Sequence, residues 1–68
     1  MDRFKLEYEM KIRGVTVQKL CADLHMSRSA FYRKTHGLSE FTRAEMIAIV
    51  NYLGLDSPMP IFFAEKVS

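Results

Sequence analysis

Three helix-start signals recur along the 68-residue chain, and they constrain its fold more than any other feature. Each consists of an apolar residue, a Ser or Thr, and a second apolar residue at the fourth helical position. In such a signal the two apolar side chains clamp the first turn, while the hydroxyl accepts a backbone N–H that has no partner inside the helix. The chain therefore predicts helices that begin at three sites: Val15-Thr16 with Leu20, Met26-Ser27 with Phe31, and Phe41-Thr42 with Met46.

Glycines mark where the helices should end. Gly14, Gly37 and Gly54 each precede an apolar residue, as expected where a left-handed residue closes a helix and the next side chain folds back onto its last turn. The segment Ser57-Pro58-Met59-Pro60 predicts a last short helix, capped by Ser57 and with both prolines in its first turn. These signals predict an all-α, compact five-helix domain over residues 1–68, with helices at 3–13, 17–24, 28–36, 43–53 and 58–65.

The stretch FKLEYEMKI, residues 4–12, alternates apolar and charged residues like a half-buried strand. A helix explains the flanking residues better, because Gly14 as its terminator needs Met10 one turn earlier, and Leu6 lies on the same face. A second apolar stripe, Phe4, Tyr8 and Ile12, then remains on the opposite side. We consider three elements that could bury this stripe: the Ile61-Phe62-Phe63 tail, the second subunit of a dimer, and a foreign protein.

Composition excludes several classes of protein. One cysteine, Cys21, rules out an internal disulfide framework, and neither a zinc-type spacing nor a glycine-rich phosphate loop is present. Cys21 and His25 are four residues apart, but we expect a small buried core residue and a turn residue with positive φ rather than metal ligands. We find no leader and no apolar run that could cross a membrane. The expectation is a cytoplasmic protein that is not an enzyme and binds no cofactor, metal or evident small molecule.

The net charge of +2 is distributed unevenly. Residues 26–43 hold four Lys/Arg against one Asp/Glu, whereas residues 44–68 hold one against three. One basic segment is the pattern expected where a single face meets phosphate. Only His25-Met26-Ser27 separates the second and third predicted helices, and so short a turn is typical of the helix-turn-helix unit.

The segment TVQKLCADLHMSRSAFYRKTHG, residues 16–37, resembles the helix-turn-helix unit of phage repressor and Cro-like proteins, the xenobiotic-response-element class of bacterial regulators. The matching positions are Leu20, Cys21, Leu24, Met26, Ser27 and Phe31. Residues 39–55 and the IFF tail also resemble small prophage-encoded members, so that the likeness covers nearly the whole chain. The chain departs from the family at Val17, where members commonly have a phosphate-binding Gln, and at Cys21 and His25, where Ala and Gly are usual. The resemblance implies a lambda-repressor-like fold.

The third helix is the predicted recognition helix. At about 100° per residue Arg28, Ser29, Tyr32 and Arg33 share one side, while Ala30, Phe31 and Lys34 occupy the other. An Arg guanidinium on a helix in the major groove can bind guanine O6 and N7 together. For Tyr32, packing against Leu38 is an open alternative to a DNA contact. The predicted base-reading residues are Ser27, Arg28, Ser29, Tyr32 and Arg33.

Phosphate contacts are expected around the edge of this face, at helix N-termini and on flanking polar side chains. The predicted phosphate-binding residues are Thr16, Gln18, Lys19, Lys34, His36, Ser39 and Arg43.

The sequence thus leads to a DNA-binding transcriptional regulator of the bacterial cytoplasm, a prophage-type repressor or Cro-like protein associated with the nucleoid when bound. It would read a double-stranded operator with helix 28–36 as a homodimer, because one module of this size makes few base contacts. A regulatory protein is a further candidate partner. The alternative is a protein-interaction module, an antirepressor or adaptor, that keeps the helix-turn-helix core and binds through apolar surface.

Overall fold

Every residue of regular secondary structure in this chain is helical over the part that the computed structural model describes, residues 1–63. The five helices are α1 (Arg3–Ile12), α2 (Val17–Asp23), α3 (Arg28–Thr35), α4 (Arg43–Leu53) and α5 (Met59–Phe62). The predicted all-α class is therefore confirmed. None of the helices in residues 1–63 is long and apolar enough to cross a membrane.

The predicted caps start the helices. Thr16, Ser27 and Thr42 each accept the backbone N–H of the residue three positions later, at 3.0–3.1 Å. Glu45 completes the capping box by accepting the Thr42 N–H at 2.8 Å. A further cap was not predicted, since Asp2 accepts the N–H of the residue three positions later at the start of α1. Four of the five helix starts thus rest on a side-chain oxygen of the cap residue.

The helix ends also follow the predicted pattern. Gly14, Gly37 and Gly54 have φ of +67°, +79° and +70°, and His25 has φ of +56° at the end of α2. The N–H of the residue after each of these four bonds back to a carbonyl five residues earlier, at 2.8–2.9 Å. These bonds satisfy carbonyls that lack helical partners. His25 therefore takes the left-handed conformation that its place in the turn requires.

The last helix differs from the prediction. The residue before α5 is Pro58, which has no side chain that could cap, whereas Ser57 was the predicted cap. Ser57 Oγ nevertheless accepts the Met59 N–H at 3.1 Å, so the hydroxyl satisfies the first helical donor from one position farther away. The predicted helix continued to residue 65, and residues 64 and 65 lie outside the described part of the chain.

The core combines side chains from all five helices. Leu6, Leu20, Ile49 and Ile61 are at most 1% exposed and form its centre. Other buried apolar members of this cluster are Met10, Cys21, Phe31, Phe41, Val50, Leu53 and Phe62. Because most buried side chains are large and aliphatic or aromatic, this one cluster is the main source of stability for a chain of this size.

The helical interpretation of residues 4–12 is confirmed, and the apolar stripe on the outside of α1 stays exposed. Phe4, Tyr8 and Ile12 are 69%, 57% and 57% exposed, opposite the buried Leu6 and Met10. The predicted tail does not cover them, because Ile61 and Phe62 are buried in the core cluster. The tail instead meets the start of α1, where the Asp2 N–H donates to the Ile61 carbonyl at 2.7 Å. Of the three elements considered for burying this stripe, a second copy of the chain and a foreign protein remain.

Candidate nucleic-acid interface

The turn between α2 and α3 fixes the direction of α3. Met26 packs against the core, and its N–H donates to the Cys21 carbonyl at 2.9 Å. Phe31 and Thr35 form the buried side of α3, and the Phe31 ring meets Phe41 edge to face with centroids 6.2 Å apart. The Thr35 hydroxyl donates within its own helix to the Phe31 carbonyl at 2.9 Å. The opposite side of α3 consequently faces solvent.

Four of the five predicted base-reading residues line one open groove of about 620 Å³, which is also lined by Phe31 and Thr35. They are Arg28, Ser29, Tyr32 and Arg33, and all four are exposed. Two guanidinium groups, a hydroxyl and a phenol therefore converge on one surface. These groups are donors suited to nucleic-acid oxygens and nitrogens. The structure thus brings most of the predicted reading face together.

The aromatic part of the groove is a stacked pair. Tyr32 and His36 have ring centroids 3.8 Å apart and an interplanar angle of 23°. His36 Nδ1 lies 2.8 Å from the Tyr32 carbonyl oxygen, which ties the imidazole to the helix end. Leu38, the packing partner considered for Tyr32, is 70% exposed. His36, predicted to bind phosphate, is therefore part of the same groove as the base-reading candidates.

Ser27 and Thr16 are located at the N-termini of α3 and α2, where their hydroxyl oxygens already serve the backbone. Ser27 Oγ accepts the Ala30 N–H at 3.0 Å, and Thr16 Oγ1 accepts the Lys19 N–H at 3.1 Å. Each hydroxyl keeps its own O–H as a donor. Capping and contact with an anion are thus compatible at both positions.

Lys34, one of the predicted phosphate contacts, forms an ion pair within the protein. Its ammonium donates to both carboxylate oxygens of Glu45, at 2.7 and 2.5 Å, and its side chain is only 17% exposed. Burial alone would raise the pKa of Glu45, but hydrogen bonds from Lys34 and from the Thr42 backbone outweigh it and lower that pKa. Lys34 therefore joins α3 to α4 and lies away from the groove.

The remaining predicted phosphate contacts are scattered around the groove. Lys19 is exposed and pairs with Asp23 at 3.1 Å, while Gln18 and Arg43 are exposed in the first turns of α2 and α4. Ser39 lines a different depression, together with Lys34. All four are exposed surface residues.

Four residues that line the groove were not predicted as site residues from the sequence. Phe31 and Thr35 belong to the buried side of α3, whereas Glu7 of α1 and Val17 of α2 line the groove from neighbouring helices. Glu7 also pairs with Arg3 at 3.7 Å, and it lines the same groove as Arg28 and Arg33. Glu7 lies between the buried and exposed stripes of α1, and only the packing of α1 beside α2 and α3 reveals which neighbour it meets.

Other polar groups of the described residues play structural roles. Within residues 1–63, no three or more His, Cys, Asp or Glu side chains gather as they would around a metal ion. Cys21 is buried, which raises the pKa of its thiol, whereas His25 is exposed in the turn. The Tyr52 hydroxyl donates to Asp23 and thereby ties α4 to α2, and this hydrogen bond lowers the pKa of Asp23 and raises that of Tyr52.

Comparison of the chain with known proteins finds no match among protein families, curated proteins or solved structures.

Proposed function

We propose that this chain is a sequence-specific DNA-binding transcriptional regulator, of the kind represented by small prophage repressors and Cro-like proteins. In this proposal α2, the turn and α3 form a lambda-repressor-like helix-turn-helix unit, and α3 enters the major groove. The observation that carries the proposal is the shared groove wall of Arg28, Ser29, Tyr32 and Arg33 on the outer side of α3. The resemblance of residues 16–37 to phage repressors supports it.

The chemistry of this wall suits the edges of base pairs. A helix with its side chains is about 10–12 Å wide, which matches the roughly 12 Å width of the major groove. Arg28 and Arg33 are exposed and would bind guanine O6 and N7. Ser29 would donate to a base or a phosphate, and Tyr32 would contact a thymine methyl or a phosphate. Ser27, at the N-terminus of α3, would contact the adjacent backbone.

Phosphate contacts would surround this wall. Thr16, Gln18 and Lys19 at the start of α2, His36 beside Tyr32, and Arg43 at the start of α4 remain in the proposed set. We leave out Lys34, because Glu45 holds its ammonium, and Ser39, because it lines a different surface. The proposed ligand is a double-stranded operator in the bacterial cytoplasm, bound by a homodimer.

The proposal is tested by selection from a random duplex library, followed by fluorescence anisotropy with the selected sequence. We expect a pseudo-palindromic motif, and an affinity that falls steeply with salt because bound Lys and Arg release counterions from DNA. Arg28→Ala and Arg33→Ala should each lower affinity for the selected site by about 5- to 150-fold, equivalent to 1–3 kcal/mol, and relax the preference at one base pair.

Asn51→Ala is the control, because Asn51 is an exposed polar residue of α4 that lines neither the groove nor the exposed stripe of α1. It should leave both the selected motif and the affinity nearly unchanged. If no motif is enriched, and the Arg28→Ala and wild-type proteins bind duplex equally well, the proposed function is wrong.

The exposed stripe of Phe4, Tyr8 and Ile12 favours a second candidate, a protein-interaction module such as an antirepressor or adaptor. Three large apolar side chains in one line are the usual sign of an interaction surface. Duplex binding distinguishes the two candidate functions, because an adaptor would show neither an enriched motif nor a dependence on Arg28.

A further inference from the structure

Residues 4–12 of α1 are chemically symmetric about Tyr8. Read outward in both directions, Tyr8 is followed by Glu7 and Glu9, then by Leu6 and Met10, then by Lys5 and Lys11, and finally by Phe4 and Ile12. Leu6 and Met10 are buried, and the others form the exposed side of the helix apart from Glu9, which is partly buried. An antiparallel pair of identical helices centred on Tyr8 brings residues at equal distances from Tyr8 to the same level, so that the two apolar ends of the stripe, Phe4 and Ile12, fall level with each other.

We propose that a second copy of this chain covers the stripe of Phe4, Tyr8 and Ile12, with the two α1 helices antiparallel and a two-fold axis at Tyr8. In this arrangement Phe4 contacts Ile12 of the second copy, and the two Tyr8 side chains meet at the axis. A two-fold interface uses one patch on both subunits, which is the commonest way for identical chains to pair. The pairing would bury side chains that are 57–69% exposed in the single copy.

Charge favours the second copy as the occupant. With Tyr8 at zero and about 100° per residue, Glu7 and Lys11 flank the stripe on one side, and Lys5 and Glu9 flank it on the other. The two-fold axis brings each flank against the same flank of the other copy in the reverse direction. Glu7 then faces Lys11 of the second copy, and Lys5 faces Glu9 of the second copy.

The like charges lie farther apart than the unlike ones. Glu7 is about 100° from the centre of the contact and Lys11 only about 60°, so each Glu7 is nearer to Lys11 of the other copy than to Glu7 of the other copy. Within each copy Arg3 lies 3.7 Å from Glu7 and Lys5 lies 3.5 Å from Glu9, but Arg13 pairs more closely with the other carboxylate oxygen of Glu9. The flank of Glu7 and Lys11 is therefore the more attractive of the two in this orientation.

The same axis places both candidate interfaces on one side of the dimer. Glu7 lies on the flank that lines the α3 groove, and this flank meets its counterpart across the axis. The grooves of the two copies thus open toward the same side, as two half-sites on one duplex require. This consequence rests on the proposed function, whereas the pairing of the α1 helices does not.

Sedimentation equilibrium of the full chain tests the pairing without DNA. A helix of ten residues is about 15 Å long, so the contact is smaller than a standard interface and we expect a dissociation constant of about 1–100 µM. Tyr8→Glu should weaken the dimer by at least about tenfold, since it adds two charges at the axis beside Glu7 and Glu9. Ile47→Glu is the control, because Ile47 is 49% exposed on α4 and should leave the dimer intact.

A charge exchange tests the orientation of the flanks. Lys11→Glu alone replaces two attractive contacts with repulsive ones and should weaken the dimer by about three- to tenfold. The double variant Glu7→Lys/Lys11→Glu restores opposite charges across the axis and should recover most of the loss. Circular dichroism confirms that each variant keeps its helices, which we expect because both residues are exposed.

Cysteine cross-linking in a Cys21→Ala background tests the register. Tyr8→Cys should form a disulfide between copies, because facing positions at the axis lie within the few ångströms that the bond spans. Phe4→Cys should not, because the two sites would be about 12 Å apart along the helices.

A monomer at 200 µM, a dimer that Tyr8→Glu does not weaken, or a Phe4→Cys disulfide would each overturn the pairing. A failed pairing with intact motif selection would leave the proposed DNA binding standing, and the reverse result would leave the dimer standing.

Discussion

The Lys34 ammonium bridges the last turn of α3 and the first turn of α4 through two hydrogen bonds to Glu45, at 2.7 and 2.5 Å. Glu45 also accepts the Thr42 N–H, so that one carboxylate completes a helix cap and an ion pair between helices. Its side chain is 25% exposed and that of Lys34 is 17% exposed. Because both groups are partly withdrawn from water, this pair is screened less than the surface pairs of α1.

Glu45→Gln should lower the free energy of unfolding at pH 7 by about 0.5–1 kcal/mol and make it less dependent on pH. The pKa of Glu45 is lower in the folded protein than its ordinary value of 4.5. Its charge therefore stabilises the fold above pH 4.5, and this contribution is lost as the pH falls through the lowered value. Gln can still accept the Thr42 N–H and keeps the capping box, so the variant removes the charge alone.

Urea unfolding between pH 2.5 and 7 measures this effect. Glu40→Gln is the control, since Glu40 is exposed in the preceding loop and has no recorded ion pair within residues 1–63. A wild-type minus Glu45→Gln difference that stays constant down to pH 2.5 would contradict the assigned role.

Tyr52→Phe should raise the pKa of Asp23 toward its ordinary value of 3.8, because the hydrogen bond from the Tyr52 hydroxyl is the main cause that lowers it. The reciprocal variant Asp23→Asn should lower the pKa of Tyr52 toward 10.0. NMR titration of the Asp23 carboxyl and the ultraviolet absorbance of tyrosinate measure the two shifts. Tyr8→Phe should leave Asp23 unaffected, and equal Asp23 titrations in wild type and Tyr52→Phe would rule out the α2–α4 contact.

His25→Gly should stabilise the protein by about 0.5–1 kcal/mol. His25 has φ of +56°, where the steric strain between a side chain and its own backbone costs free energy that glycine avoids. The greater conformational entropy of glycine in the unfolded chain offsets part of this gain in stability. Gly37→Ala is the converse change, and at φ of +79° it should destabilise by about 1 kcal/mol. Within residues 1–63 no atom beyond the chain neighbours of Gly37 lies within 4 Å of the added Cβ, so the backbone conformation is the main contribution to that cost. Urea midpoints at constant slope measure both, and a destabilised His25→Gly variant would refute the account.

Ser27→Asp should keep the stability of α3 and weaken DNA binding, which separates the two roles of this position. Asp caps a helix as well as Ser does and is favourable near its N-terminus, but it repels phosphate. Ser27→Ala should instead lose about 0.5–2 kcal/mol of stability, because the Ala30 N–H loses its acceptor. For both variants, thermal unfolding measures the stability and fluorescence anisotropy measures the DNA affinity on the same samples. If Ser27→Asp binds DNA like wild type, Ser27 does not contact the duplex.

The helix boundaries could be predicted from the sequence because they are set locally. Each cap and each left-handed residue acts on groups at most five residues away, as at Thr42 with Glu45 and at Gly14 with Met10. The same local logic placed His25 at positive φ. It failed at the start of α5, where Pro58 intervenes between Ser57 and the helix, and it overlooked the cap at Asp2.

The candidate interface could be predicted only in part, because it depends on how helices are placed. The helical period alone predicted that one side of a helix carries Arg28, Ser29, Tyr32 and Arg33, and these four residues do line one groove. The helical period could not show that Glu7 of α1 lines the same groove, nor that Lys34 donates a hydrogen bond to Glu45, eleven residues later in the chain. Both facts arise from packing between helices, which leaves no regular spacing in the sequence.

The exposed side of α3 contributes little to the packing that orients this helix. Phe31 and Thr35 are its buried residues and fix its position, and Ser27 holds its first turn by accepting the Ala30 N–H. Substitutions at Arg28, Ser29, Tyr32 and Arg33 should therefore alter what the surface recognises without unfolding the chain. Under the proposed function, these four side chains can be exchanged together to change the target sequence, while the core and the helix caps of residues 1–63 stay the same.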